Sequence, residues 1–302
     1  MNLEELFIQL GYTQQEFNHF IGDYSLARLK YETLYKNVVQ MYQFLVSIGY
    51  TKEEVLKITK SHPSIYGYPI ESIKQKIDDM ISLGYTKEEV LKISKIIPNI
   101  YGRSIKSIKQ KIDDMISLGY TKEEVLKITK QSPSIYGYSI ESIKQKIEDL
   151  INLGYTKEEV LKMTKSFPPI YGCTIENIKQ KIEELINLGY TKEEVLKITK
   201  SFPSIFGFII ESIKQKIVFY DSINMHELAV INAKYLMQSI SLSFARYMFL
   251  NTKGIDVTMS NYRILFAGSK RFEKQHNITK KQLLEMYNYE NYVREKTNER
   301  VI

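Results

Sequence analysis

Gly119-Tyr120-Thr121-Lys122-Glu123-Glu124-Val125-Leu126-Lys127 opens a segment that the chain writes five times. The same nine residues begin at Gly49, Gly84, Gly154 and Gly189, so the period is 35 residues with no slippage. A fixed period of this length is the mark of a solenoid, in which each repeat buries its apolar face on its neighbours and function lies on a long shared surface. Gly119 follows an apolar helical pattern, where a glycine can take the left-handed conformation that ends a helix. Thr121 and Glu124 form a capping box, and Tyr120 and Val125 occupy the positions of a hydrophobic staple. Glu123 and Glu124 suit the positive end of a helix, and Lys127 and Lys130 suit the negative end. The first helix of the repeat is therefore expected over Lys122 to Lys130.

Pro133 stops that helix. Pro133-Ser134-Ile135-Tyr136-Gly137 is too short for another α-helix and suits a 3₁₀ turn closed by glycine. Ser139 then caps a second helix, Ile140 to about Asn152, whose Ile140, Ile143, Ile147, Leu150 and Ile151 form one apolar stripe, with Lys144 and Glu148 an i,i+4 pair on its flank. The fold expected is all-α: an α-solenoid of about six helix–3₁₀ turn–helix repeats in a curved superhelix, closed by a helical C-terminal cap.

Working outward, an earlier copy starts at Gly11-Tyr12-Thr13 but has Asp23 to Leu29 where the turn should stand. Residues 1–48 read as an atypical capping repeat, 49–218 as the five near-identical repeats, and 219–302 as a helical region with a diverged repeat. At the end of the array Ile209 replaces the helix cap, and Val218 and Phe219 replace the usual acidic pair, with Tyr220 beside them extending an apolar patch. The C-terminal region is expected to cover that apolar patch. Its helices are expected at His226–Ser239, at Ser243–Asn251 ended by Gly254, and from the capping box Thr279-Lys280-Lys281-Gln282 to about Tyr292, with fraying from Arg294 to Ile302.

Composition bounds the function. The chain has 302 residues, 43% hydrophobic and 25% charged, an ordinary globular balance. It has no apolar run of eighteen residues, so no membrane helix is expected. Met1 to Phe17 is acidic and free of arginine, unlike a secretory signal or a transit peptide. The single cysteine, Cys173, has no partner for an intramolecular disulfide, which suits a reducing cytoplasm. A net charge of +7 favours a polyanionic partner. The charge is uneven. The repeats at Gly49, Gly119 and Gly154 each balance five basic against five acidic residues, whereas the repeat at Gly84 gains Arg103 and Lys106 in place of Tyr and Glu.

The unit Leu-Gly-Tyr-Thr-x-Glu-Glu-Val-Leu-Lys…Pro-Ser-Ile-Tyr-Gly…Ile-Glu-x-Ile-Lys-x-Lys-Ile…Leu resembles the repeat of the mitochondrial transcription termination factor (mTERF) family. The resemblance covers about Gly49 to Lys216 and, more loosely, Gly11 to Ile48. Arg246-Tyr247-x-Phe249-Leu250…Gly254-Ile255, followed by Leu265-Phe266…Phe272…His276, looks like a diverged family repeat as well. The resemblance implies a left-handed superhelix of α/α/3₁₀ repeats with a basic concave groove for double-stranded DNA or structured RNA. It also implies a role in transcription, in its termination or in ribosome biogenesis. The near identity of the repeats and the lack of a targeting segment point to a bacterial-type or cytosolic relative.

Four features are candidates for the interface. Lys57, Lys92, Lys127, Lys162 and Lys197 form one row. Lys60, Lys95, Lys130, Lys165 and Lys200 form a second, and Lys74, Lys109, Lys144, Lys179 and Lys214 a third. Repeated cations match a repeating phosphate backbone; at about 10 Å per helix layer, five repeats span about 50 Å, or about 15 base pairs. Helix-dipole and i,i+4 pairing account for single lysines equally well. Variable pairs flank each turn, from Ser61-His62 and Tyr68-Pro69 through Ser201-Phe202 and Phe208-Ile209. Drift explains most of them, and Arg103, with Lys106, is the exception, since arginine suits guanine and phosphate alike. Tyr66, Tyr101, Tyr136, Tyr171 and Phe206 could stack bases but read as core. Lys270, Arg271, Lys274, Lys280 and Lys281 form the densest basic cluster. The histidines and Cys173 share no metal-ligand spacing, and the nucleophile-elbow and phosphate-loop motifs are missing. The reading is a monomeric, non-enzymatic nucleic-acid-binding protein with no cofactor or metal and no membrane partner. A helical-repeat scaffold for a protein partner is the alternative.

Overall fold

A computed structural model describes residues 2–22 and 30–292. The chain forms two compact units, residues 1–146 and 147–302. The described residues contain helices and turns and no strand, and none of these helices is long and apolar enough to cross a membrane. The expected repeat is present almost to the residue, as helix Lys122–Gln131, 3₁₀ turn Pro133–Gly137 and helix Ile140–Asn152.

The repeat at Gly84 shows why these residues fold this way. Gly84 sits at φ +114°, its N–H meeting the Ile81 carbonyl at 2.9 Å, and Tyr85 N–H reaches back to Met80. The positive φ favours glycine here, and a Cβ on Gly84 would also press on Leu126 Cδ1 at 3.0 Å. Thr86 Oγ1 accepts from Glu89 N–H at 3.2 Å, while the Glu89 carboxylate accepts from Thr86 N–H at 3.0 Å. Helix Lys87–Ile96 buries Val90, Leu91 and Ile93, the turn Pro98–Gly102 buries Ile100 and Tyr101, and helix Ile105–Ser117 buries Ile108, Ile112 and Met115.

Two polar ladders join successive repeats. In the first compact unit the Tyr85 hydroxyl reaches Thr129 Oγ1 at 2.6 Å and Tyr136 Oη at 2.5 Å, and Tyr50 likewise reaches Ser94 and, at 2.7 Å, Tyr101. In the second, Tyr155 meets Thr199 at 2.6 Å, and burial pushes its hydroxyl up to about 12. Phe206, which lacks a hydroxyl, leaves that cluster one member short. These buried hydroxyls are paired with each other, as buried polar groups must be. The second ladder consists of ion pairs, described below.

The two ends depart from the array. Helix Leu3–Leu10, capped by Asn2, precedes Gln14–Ile21 and Tyr31–Ile48. The expected irregular replacement at Asp23 to Leu29 lies outside the described residues, as does the expected fraying from Arg294 to Ile302. The single helix expected over His226–Ser239 is instead helix Leu228–Ile231 and 3₁₀ turn Ala233–Met237. Asn232, extended at φ −158°, breaks it, and its side chain accepts from Lys234 N–H at 3.1 Å. Ser239 then caps helix Ile240–Thr252, which begins earlier than the expected Ser243. This is a sixth helix–turn–helix repeat without a proline. A further turn and helix follow at Tyr262–Phe266 and Ser269–His276, with residues 255–261 as a loop in place of a first helix. Helix Lys280–Met286 stops short of Tyr292 because Tyr287 leaves helical geometry at φ −129°, ψ 90°. The apolar patch is covered in part. Phe219 packs against Phe244, Tyr247 and Tyr289, and Tyr220 donates to the Tyr235 carbonyl at 3.1 Å, but Val218 remains 56% exposed.

Candidate nucleic-acid interface

The structure separates the lysine rows. Lys57, Lys92 and Lys127 in the first compact unit, and Lys162 and Lys197 in the second, are all exposed, and among the described residues none of the five makes an ion pair. They point away from the buried Val–Ile–Thr stripe because they lie two residues after the buried valine, on the opposite side of a 3.6-residue helix.

The second row is engaged. Lys60 pairs with Glu16 at 2.7 Å, Lys95 with Glu54 at 2.5 Å, Lys130 with Glu89 at 2.9 Å and Lys200 with Glu159 at 2.5 Å. Each lysine reaches the capping-box glutamate of the preceding repeat. Lys165, the remaining member, also has a partner. The lysine contact is the chief reason that the Glu54, Glu89 and Glu159 carboxyls lie below the usual range. A glutamate that caps its own helix and holds its neighbour's lysine serves two structural ends. In the third row Lys74 pairs with Glu71 at 2.7 Å and Lys214 with Glu184 at 2.7 Å.

Packing reveals a fourth row that the sequence pattern does not single out. Lys111 and Lys181 donate to the Tyr138 and Phe206 carbonyls, and Lys216 donates to Leu236 at 2.7 Å. Each of these carbonyls belongs to the turn of the following repeat or to the residue that ends it. Arg246 is the same position in the diverged repeat, the seventh residue of its helix, and donates from Nη1 to Leu265 at 2.8 Å and Ala267 at 2.7 Å. The sequence signal for this row is the lysine in each Gln-Lys-Ile, placed on the edge of the apolar stripe where a long side chain is half-buried.

Of the remaining candidates, Arg103 is half-buried and donates from Nη1 to the Tyr136 carbonyl at 2.9 Å, while Lys106 is exposed on the first turn of its helix. Lys270, Arg271 and Lys274 are exposed on helix Ser269–His276, and Lys280 and Lys281 on helix Lys280–Met286. Lys281 lies 3.8 Å from Glu285, an exposed pair of little energetic weight. Tyr66, Tyr101, Tyr136, Tyr171 and Phe206 are at most 7% exposed, which makes them core. The variable residues on either side of a turn touch each other: His62 Nε2 lies 3.1 Å from Tyr68 Oη, and Phe202 stacks on Phe208 at 6.3 Å. That mutual packing accounts for them without base reading. Among the described residues no group of three or more His, Cys, Asp and Glu is arranged to hold a metal ion.

Repeated helix–3₁₀ turn–helix units, joined by polar ladders and presenting exposed lysines on each first helix, define an all-α repeat protein of the solenoid class. The mTERF family model matches residues 28–187 and 143–273, and the chain belongs to that family of nucleic-acid-binding repeat proteins. The second match extends through the diverged turn Tyr262–Phe266. No curated protein matches the chain.

Proposed function

We propose that this protein binds double-stranded DNA or structured RNA through its phosphates and, as a monomer in the cytoplasm, modulates transcription or its termination without catalysing a reaction. The observation that carries the reading is the exposed row Lys57, Lys92, Lys127, Lys162 and Lys197, a cation at the same place in every copied repeat that makes no ion pair among the described residues, as is also true of the exposed Lys52, Lys87, Lys122, Lys157 and Lys192 in the first turn of the same helices. Identical cations at a fixed interval of 35 residues suit a partner whose charge also repeats. The basic cluster Lys270, Arg271, Lys274, Lys280 and Lys281 adds a second, denser contact surface. The second row, Lys60, Lys95, Lys130, Lys165 and Lys200, contributes less, because all five are engaged and a phosphate would have to displace a carboxylate from Lys60, Lys95, Lys130 and Lys200.

A scaffold for a protein partner is the second reading. It is favoured by the neutralising ion-pair ladder and by the part-exposed Ile81 and Ile116 in one compact unit and Ile151 and Ile186 in the other, each 37–40% exposed. Fluorescence anisotropy with a random 25-base-pair duplex, its single strand and an RNA hairpin, each over a salt series, separates the two. The nucleic-acid reading expects affinity for the duplex or hairpin that falls steeply with salt. Flat curves at low salt for all three would remove it.

A further inference from the structure

One notch along the repeats differs in charge from its counterpart. Where the turn Pro133–Gly137 and the start of helix Ile140–Asn152 meet helix Ile105–Ser117, an open cleft of about 280 Å³ is lined by Arg103, Ser107, Lys111 and Ser139, among others. The corresponding notch at the turn Pro63–Gly67, about 330 Å³, is lined by Asn37, Gln40 and Glu71 and by no cation. The fold therefore makes the cavity, and this repeat alone of the two supplies the positive lining.

The two cations are held in place from the same turn. Arg103 Nη1 is fixed on the Tyr136 carbonyl at 2.9 Å and Lys111 Nζ on the Tyr138 carbonyl, two residues on. Each contact uses one N–H and leaves the rest of a five-donor fork and a three-donor ammonium without a protein acceptor in these bonds. Arg103 Nε is shielded from solvent and has no partner at all. An unmet donor on a charged group is costly and is relieved by an acceptor. Ser139 Oγ accepts from Ser142 N–H at 3.0 Å, so its own proton remains available. The N-terminal end of the thirteen-residue helix Ile140–Asn152 adds its positive dipole at the same wall. The carboxylates that act on Lys111 are Asp114 and Glu141; Asp114 is held by the Gln110 amide at 2.9 Å, and exposed Lys106 stands on the same helix.

We propose that the Arg103–Lys111 notch is a phosphate site, in which the guanidinium fork and the ammonium grip the oxygens of one phosphate. The phosphate is a backbone phosphodiester of bound nucleic acid, so the inference rests on the function proposed for the lysine row and adds a fixed anchor to an otherwise uniform set of cations. A planar fork held by its neighbours loses little freedom on binding and matches phosphate oxygens two at a time.

The test uses the full chain, labelled with ¹⁵N, and follows the Arg103 Nε–H signal during titration with inorganic phosphate and with the 25-base-pair duplex. The signal is assigned by its disappearance in Arg103→Tyr, a replacement that carries the residue found at Tyr68 and Tyr138. The signal is expected to move with both probes. Arg103→Tyr is expected to weaken duplex binding about tenfold and to lower the log–log salt slope by about 0.9, as for one phosphate left unneutralised. An unmoved signal, or an unchanged slope in Arg103→Tyr with a native thermal melt, overturns the site. If no nucleic acid binds, the underlying reading fails on its own. In that case movement with inorganic phosphate supports an oxyanion site for a free phosphorylated ligand, and no movement overturns the notch.

Discussion

Between Gly154 and Leu188 the repeat is built with a capping box, a ten-residue first helix, a turn proline and a turn glycine. Between Ile223 and Thr252 it has a four-residue first helix, no proline and no glycine, yet the 3₁₀ turn and a thirteen-residue second helix still form. Two features persist. A hydroxyl, Thr174 or Ser239, caps the second helix, and a cation at its seventh residue, Lys181 or Arg246, holds carbonyls of the next turn. Proline and glycine make the copied turn locally favourable, whereas the diverged turn depends on tertiary partners. The copied repeats carry an exposed lysine two residues after the buried valine of the first helix, and the shortened first helix of the diverged repeat, Leu228–Ile231, carries none. The comparison thus separates what the fold requires from what the array adds.

The largest effect is expected at the cation that both regions share. Arg246 is 3% exposed, serves two carbonyls and lies 4.6 Å over the Phe272 ring. Arg246→Met is expected to cost about 3 kcal/mol in urea unfolding, from two stranded carbonyls and weakened packing. Lys181→Met, which strands a single part-buried carbonyl beside a proline-built turn, is expected to cost about 1 kcal/mol. Equal losses would mean that the proline-free turn Tyr262–Phe266 is no more dependent on its cation than the copied turn Pro203–Gly207.

A smaller difference is expected at the hydroxyl clusters. Thr129→Val deprives Tyr85 and the adjoining Tyr136 of a partner and should cost about 2 kcal/mol. Thr199→Val affects Tyr155 alone, because Phe206 has no hydroxyl, and should cost about 1 kcal/mol. Thermal melts of the two variants check the order.

Acid acts on the ion-pair ladder. The Glu54, Glu89 and Glu159 carboxyls are held below their unfolded value, chiefly by Lys95, Lys130 and Lys200. Their contribution is complete above the ordinary carboxylate pKa of about 4.3 and is lost as pH falls through the lower folded values. The urea midpoint should therefore drop as pH falls below about 4.3, and by less in the variant Lys95→Met, Lys130→Met. An undiminished drop in that variant would assign the acid sensitivity to other groups.

Most of the array is legible in the sequence because its signals are local. The capping box at Thr121, the proline at Pro133 and the period of the isoleucines fix the helices within a residue or two. The diverged repeat reads as one helix because Asn232 breaks it through a side-chain bond two residues on, with no proline to mark it. The site is legible only in part. The sequence presents Lys57 and Lys60 as equivalent rows, and only the packing of one repeat on the next reveals that Lys60 is taken up by Glu16 while Lys57 is not. Lys111 and Arg246 escape sequence reasoning on the same ground, since their acceptors lie 19 to 27 residues away.

The salt dependence of duplex binding distinguishes the paired lysines from the unpaired ones. The five-site variant with Lys57, Lys92, Lys127, Lys162 and Lys197 changed to Gln should fold with near-native stability, because exposed unpaired cations contribute little to it. Its log–log salt slope on the 25-base-pair duplex should fall by about 0.9 for each phosphate that the removed lysines had neutralised. The matching variant of Lys60, Lys95, Lys130, Lys165 and Lys200 should lose stability and keep most of the slope. A wild-type slope in the first variant and a collapsed slope in a still-folded second variant would contradict the account.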